Sequence, residues 1–420
     1  MSNKLMIGAA TAPHQVEGNN LYSDSWAMEH MQYTTYAEPS LDAVDHYHRF
    51  EEDMELLKNG GLNAYRFGIE WARIEPENGR FDEKEILHYK EVLKACRDKG
   101  IMPVVTLHHF SSPKWLIEKG GWEADTTPAY FARYTQYVMD QLGQELSWVC
   151  TINEANMGLQ IAAIAERFKK QMQNASSNVQ LGLNLEAMMQ RQKAVGEENK
   201  ALFGTENPAT FISPRTAHGD SVIIAAHMAA RNVIRKTCPH IKVGLSLSLH
   251  DVQFVPGGEA LAQKAWEDEF LHYLPFIEGD DFLGVQNYTR NVYDTSGELE
   301  PPADAELTQM KYEFYPQALE HVLERVAKDF HGDLIVTENG IATADDTRRI
   351  AFIEQAMTGV QHCVEEGLPV RGYFYWSLLD NFEWSRGFSM TFGLIAVDRA
   401  TQKRTVKPSL SFLGSYSERL

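Results

Sequence analysis

Apolar positions along this chain follow two alternating rhythms. Short β-branched and aromatic runs occur at 4–10, 62–69, 101–107, 147–153, 241–249, 281–288, 334–338 and 370–377, the pattern of strands buried on both faces. Between several of them apolar residues recur every three or four positions. Val44, Tyr47, Met54 and Leu57 share one helical face, as do Ile86, Tyr89, Leu93 and Cys96. Asn59-Gly60-Gly61 and Lys99-Gly100 read as helix stops, and Thr127-Pro128 as an N-cap with a first-turn proline.

Eight strand–helix alternations predict an α/β protein built as a single (β/α)8 TIM barrel over residues 1–420. An open doubly wound sheet would alternate too, but the first strand-to-helix turns carry no GxGxxG phosphate loop. The rhythm breaks at 157–218, a stretch rich in Met and Gln that follows strand four and predicts helices near 158–173 and 184–203. It reads either as a peripheral excursion packed on the barrel or as a cover shaping the entrance to a site.

Hydrophobic residues make up 44% of the 420 positions and charged ones 23%, enough apolar content for a sizeable core. The net charge of -19 repels nucleic acid and anionic membrane, so neither is an expected partner, while neutral or cationic small molecules are acceptable. The amino-terminal apolar stretch is too short for a secretory signal and no run approaches a membrane span, which predicts a cytoplasmic location. Cys96, Cys150, Cys238 and Cys363 lie far apart with no zinc spacing and read as reduced, structural thiols.

In such a barrel, chemistry belongs at the carboxyl ends of the strands. Polar residues stand there beside apolar runs: Gln15, Arg66, His109, Asn153 with Glu154, Tyr288, Glu338, then Trp376, Glu383 and Trp384. Two carboxylates on different strands suit retaining glycoside hydrolysis, where one attacks the anomeric carbon and the other, about 5 Å away, protonates the leaving oxygen. An ionised nucleophile is favoured by a nearby arginine and phenol, roles open to Arg66 and Tyr288. His46, His48, His108 and His109 could suggest a metal, but no further ligands appear at a recognisable spacing. No metal and no cofactor is therefore expected. His46 and His48 read as structural, and His108 as either core or a support to the site.

Several segments resemble glycoside hydrolase family one, the retaining β-glycosidases built on a TIM barrel, and the likeness runs nearly end to end. TINEA at 151–155 is similar to the acid/base motif TxNEP, and VTENG at 336–340 to the nucleophile motif. ATAPHQVEG around Gln15, YRFGIEWARIEP at 65–76, TLHHF at 106–110 and WSLLDNFEW at 376–384 resemble further signatures. The resemblance implies Glu154 as acid/base and Glu338 as nucleophile. It implies that Gln15 and Glu383 hold outer sugar hydroxyls, that His109 and Trp384 assist, that Asn153 reaches the 2-hydroxyl, and that Trp376 is the sugar platform.

Three positions depart from the pattern: Ala155 replaces a proline, Phe110 a tryptophan, and Gln286, a further candidate sugar contact, an asparagine. Ala155 would loosen the backbone that orients Glu154. The family's 6-phosphosugar branch carries a lysine and a tyrosine in a motif like SKRYG, where this chain has SMTFG at 389–393. Met390 and Phe392 offer a phosphate neither cation nor hydroxyl, and Glu383 would repel it, so a non-phosphorylated β-glycoside is expected. The expected activity is hydrolysis with Glu154 raised and Glu338 lowered in pKa. A transglycosylase using the same intermediate and a non-catalytic sugar-binding barrel are the alternatives.

Overall fold

The computed structural model describes residues 4–176 and 185–419. Its strands are β1 Met6–Ala10, β2 Ala64–Gly68, β3 Met102–His108, β4 Trp148–Ile152, β5 Lys242–Gly244, β6 Ser246–Ser248, β7 Asp251–Phe254, β8 Phe282–Gln286, β9 Arg290–Tyr293, β10 Asp333–Asn339, β11 Val370–Trp376, β12 Ile395–Val397 and β13 Arg404–Val406. One parallel sheet runs β5-β4-β3-β2-β1-β11-β10-β8-β6. Because β5 and β6 are halves of one strand parted only by Leu245, the sheet closes into an eight-stranded barrel. The sequence run at 241–249 is thus split: Lys242–Gly244 pairs with β4, and Ser246–Ser248 with β8.

Period-two alternation sorts the strand residues. Met6, Ala10, Ala64, Val104, Cys150, Phe282, Ile335, Phe374 and Trp376 form the inner cluster. Their neighbours Ile7, Ala9, Tyr65, Phe67, Val105, Val149, Leu283, Val285, Val336 and Tyr373 join the cluster shared with the surrounding helices. Helices His46–Asn59 and Glu83–Asp98 bury Met54 and Leu57, and Ile86, Tyr89, Leu93 and Cys96. Both stop at the expected places, with Gly61 and Gly100 at φ +89° and +64°. The helix Thr127–Leu142 begins one residue earlier than expected, and the Thr127 hydroxyl bonds Gly121 O instead of capping.

The excursion after β4 carries helices Met157–Ser176 and Leu185–Phe203; residues 177–184 between them, including the expected helix start at 184, lie outside the described residues. Glu198 accepts the backbone N–H groups of Gln32 and Tyr33, and Arg167 pairs with Glu298. These partners sit in loops that follow strands, so the excursion borders the mouth of the barrel. The parallel pair β7–β9 and the antiparallel hairpin β12–β13 are additions that the sequence pattern did not reveal. No described helix is long and apolar enough to cross a membrane.

Candidate active site

The last inward layer of the barrel is polar. Arg66 on β2 and Gln286 on β8 continue the inward series Ala64–Arg66 and Phe282–Gly284–Gln286. Glu338 would fall on the outward side by simple alternation from Ile335. A β-bulge corrects this: Val336 pairs with Val285, yet Glu338 pairs with Gln286, so one residue is skipped and the carboxylate turns inward. Glu154 lies just beyond β4 with φ 45°, and Phe110 and Trp384 also have positive φ, at 67° and 46°. Left-handed backbone at non-glycine residues costs on the order of 1–3 kcal/mol and persists where surrounding contacts hold it.

Glu338 is the hub. Arg66 Nη1 donates to its Oε1 at 2.6 Å and Gln286 Nε2 lies 3.1 Å from the same oxygen, while the Tyr288 hydroxyl donates to Oε2 at 2.7 Å. Arg66 Nη2 and Gln286 Nε2 both donate to Asn153 Oδ1, at 2.5 and 2.6 Å. That orients the Asn153 amide, whose Nδ2 donates to His109 Nε2 at 3.3 Å. An amide nitrogen only donates, so His109 Nε2 is the acceptor and Nδ1 carries the proton. Burial and the Arg66 charge hold this imidazole neutral, its pKa well below the ordinary value. Its Nδ1–H is buried with no partner among the described residues, and so is Gln15 Oε1; a donor and an acceptor stand ready for hydroxyl groups.

Gln15 Nε2 donates to Phe382 O at 2.7 Å and to Glu383 Oε2 at 3.1 Å. The Trp376 ring stacks near His109, centroids 5.7 Å apart. Trp384 stacks on His14 at 5.5 Å. The structure thus brings together all of Gln15, Arg66, His109, Asn153, Glu154, Gln286, Tyr288, Glu338, Trp376, Glu383 and Trp384. His108 instead bonds Ser112 at 3.0 Å inside an aromatic cluster, and His46 bonds Asp53 at 2.7 Å. Among the described residues no three metal-binding side chains gather.

The two glutamates differ in what touches them. The Glu154 carboxyl accepts no hydrogen bond from the described residues, and burial followed by the Glu338 charge pushes its pKa well above the ordinary value. Glu338 does not have the lowered pKa that the sequence suggested: burial raises it, against the opposing pull of Arg66, Tyr288 and Gln286. The difference between the pair survives, because Glu338 has three donors, one of them a cation, and Glu154 has none of them in hydrogen-bond contact. Glu383 is likewise pushed up to about 8 by burial and the Glu338 charge. Its expected repulsion of a phosphate is therefore weak near neutrality.

Sequence reading missed Ser246, whose hydroxyl receives the Glu154 backbone N–H at 3.0 Å. It missed His14 beneath Trp384, and Tyr312, whose ring lies 6.3 Å from Tyr288 and whose phenol is raised by burial, Glu383, Tyr375 and Glu154. For Ser246 a signal existed: Ser246, Ser248 and His250 alternate with Leu245, Leu247 and Leu249, marking a polar inward face.

The whole chain superimposes on the β-glycosidase BGL167 with a TM-score of 0.88 and 42% identity, covering 100% of this chain and 97% of that one. With a β-glucosidase from Thermotoga maritima in complex with glucoimidazole, the TM-score is 0.79 at 26% identity, covering 100% and 98%. A β-glucosidase from Agrobacterium sp. is 29% identical over 461 residues, 96% of this chain and 92% of that protein. The model of glycosyl hydrolase family 1 matches residues 1–200 and 272–419, and this chain belongs to that family.

Proposed function

We propose that this retaining β-glycosidase uses Glu338 as nucleophile and Glu154 as acid/base on non-phosphorylated β-glucosides. The unequal hydrogen bonding of the two carboxyl groups carries this assignment: three donors hold an anion at Glu338, and none among the described residues does so at Glu154. In the first step a Glu338 oxygen bonds the anomeric carbon while the Glu154 proton passes to the departing glycosidic oxygen. An ester to the enzyme and a free alcohol result. In the second step ionised Glu154 takes a proton from water, the water oxygen bonds the anomeric carbon, and the Glu338 carboxylate leaves.

The remaining contacts suit a terminal sugar. Gln15 Oε1 and His109 Nδ1–H meet ring hydroxyls, Asn153 the 2-hydroxyl, Glu383 the outer hydroxyls, Gln286 steadies the Asn153–Glu338 pair, and the faces of Trp376 and Trp384 flank the ring. The relatives described above are named β-glycosidase or β-glucosidase, which supports a glucoside and hydrolysis over pure binding or transfer.

Azide rescue tests the roles. With Glu338→Ala an activated β-glucoside should yield an α-glucosyl azide, because azide takes the place of the nucleophile. With Glu154→Ala it should yield a β-glucosyl azide, because azide attacks the enzyme ester. Reversed stereochemistry would exchange the two roles, and failure of both rescues would sink the assignment.

A further inference from the structure

Two departures from the family pattern, Ala155 and Gln286, meet at one buried residue, Ser246, the first at its carbonyl and the second at its hydroxyl. The Ser246 hydroxyl accepts the Glu154 backbone N–H at 3.0 Å, and the Ser246 carbonyl accepts the Ala155 N–H at 3.0 Å. A proline at 155 could not make the second bond, since it has no N–H. What the sequence suggested as a loosened backbone is therefore tied down on both sides of the Glu154–Ala155 peptide. The tie matters because Glu154 holds φ 45°, a conformation that neighbouring contacts must impose.

The same hydroxyl faces the nucleophile's supports. Ser246 Oγ donates to Asn153 Oδ1 at 3.3 Å and receives Gln286 Nε2 at 3.0 Å. The Gln286 amide points its nitrogen at Asn153, Ser246 and Glu338; its Oε1 is buried without a partner among the described residues. Turning the amide over would set a carbonyl oxygen against Asn153 Oδ1 and the Glu338 carboxylate, so the orientation is determined. Ser246, itself fully buried, is one hydroxyl shared between the peptide that aims Glu154 and the amides that hold Glu338.

We infer that Ser246 is a positioning residue that sets the acid/base Glu154 against the nucleophile Glu338, in the place of the missing proline. This rests on the assignment of Glu154 as the proton donor. Losing the hydroxyl takes one partner from Asn153 and Gln286, whose bonds to Arg66, Glu338 and each other remain, but removes the acceptor of the Glu154 N–H, so the damage should fall chiefly on proton delivery and follow the leaving group. Alkyl β-glucosides need the proton most, and 2,4-dinitrophenyl β-glucoside needs it least.

The experiment measures kcat/KM on both substrates for Ser246→Ala, Ser246→Thr and, as a control, Glu154→Gln. Loss of hydrogen bonds that orient a charged group predicts that Ser246→Ala loses about 30-fold on the alkyl glucoside and about threefold on the dinitrophenyl one. Ser246→Thr, which keeps the hydroxyl, stays within about twofold of the parent on both. Equal losses on the two substrates, or no loss on either, would overturn the inference. If Ser246→Ala does not fold, Ser246→Cys, of similar size but a weak donor, replaces it and should show the same leaving-group bias relative to Thr. Glu154→Gln separates the two ideas. If it shows the bias and the serine variants do not, Ser246 is at fault; if it shows none, the assignment of Glu154 falls first.

Discussion

Arg66 and Glu338 form a buried ion pair, Nη1 2.6 Å from Oε1, with the arginine fully enclosed and its second nitrogen engaged by Asn153. Removing one partner of a buried pair strands the other, at a cost of about 3–5 kcal/mol. Arg66→Met should therefore lower kcat/KM about a hundredfold or more. Arg66 lowers the pKa of Glu338 and also that of Glu154. Taking it away raises both, so both limbs of the pH–rate profile should move to higher pH. An unmoved acid limb would mean that Glu338 is not the group whose ionisation sets it.

Tyr288 acts on one carboxyl alone through a hydrogen bond. Its hydroxyl bonds Glu338 Oε2 at 2.7 Å and lowers the Glu338 pKa, and it is not among the groups that set Glu154. Tyr288→Phe should move the acid limb of kcat/KM upward and leave the alkaline limb in place, narrowing the active range from one side. A lost hydrogen bond to a charged group predicts a fall in kcat of about 10- to 100-fold. Movement of both limbs together would contradict a contact confined to Glu338.

The barrel and its two strand-end glutamates were legible because burial writes itself into local pattern: strand interiors must be apolar, and a carboxylate beside them stands out. The inward turn of Glu338 was not legible. It depends on the bulge between Val336 and Glu338, a property of pairing with β8 that no local run displays. Nor was the joint shift of three carboxyl groups. Arg66 and Tyr288 suggested a depressed Glu338, but enclosing Glu154, Glu338 and Glu383 together lets desolvation outweigh those contacts at Glu338, while the Glu338 charge adds to the rise of the other two. The role of Ala155 reversed for a similar reason, since its N–H partner lies on a strand about ninety residues away.

Glu383 should leave a mark on stability. Its folded pKa of about 8 lies above the ordinary 4.5, so the folded state holds its proton longer than the unfolded chain does. The stability this contributes is fully present below about pH 4.5 and declines as pH rises towards 8. Glu383→Gln removes the dependence. Its melting temperature relative to the parent should climb from pH 5 to pH 8 and then level off. A constant difference across that range would show that Glu383 ionises normally in the folded protein.

Selection against 6-phosphorylated sugars should come from missing donors and not from negative charge. Met390 and Met310 pack with Phe392, Trp376 and Tyr288 in one apolar cluster, and a phosphate dianion brought there would lose water without gaining a cation. Glu383 is too nearly neutral at pH 7 to be the main source of repulsion. The protein should therefore prefer 4-nitrophenyl β-glucoside over its 6-phosphate by about a hundredfold or more, a ratio that binding differences of this kind can supply. Met390→Lys with Phe392→Tyr adds a cation and a hydroxyl and should narrow that ratio at least about tenfold. Glu383→Gln alone should leave the ratio nearly as it was. If instead Glu383→Gln narrows it and the double variant does not, charge repulsion by Glu383 is the discriminating force, and the carboxyl must be ionised in the complex.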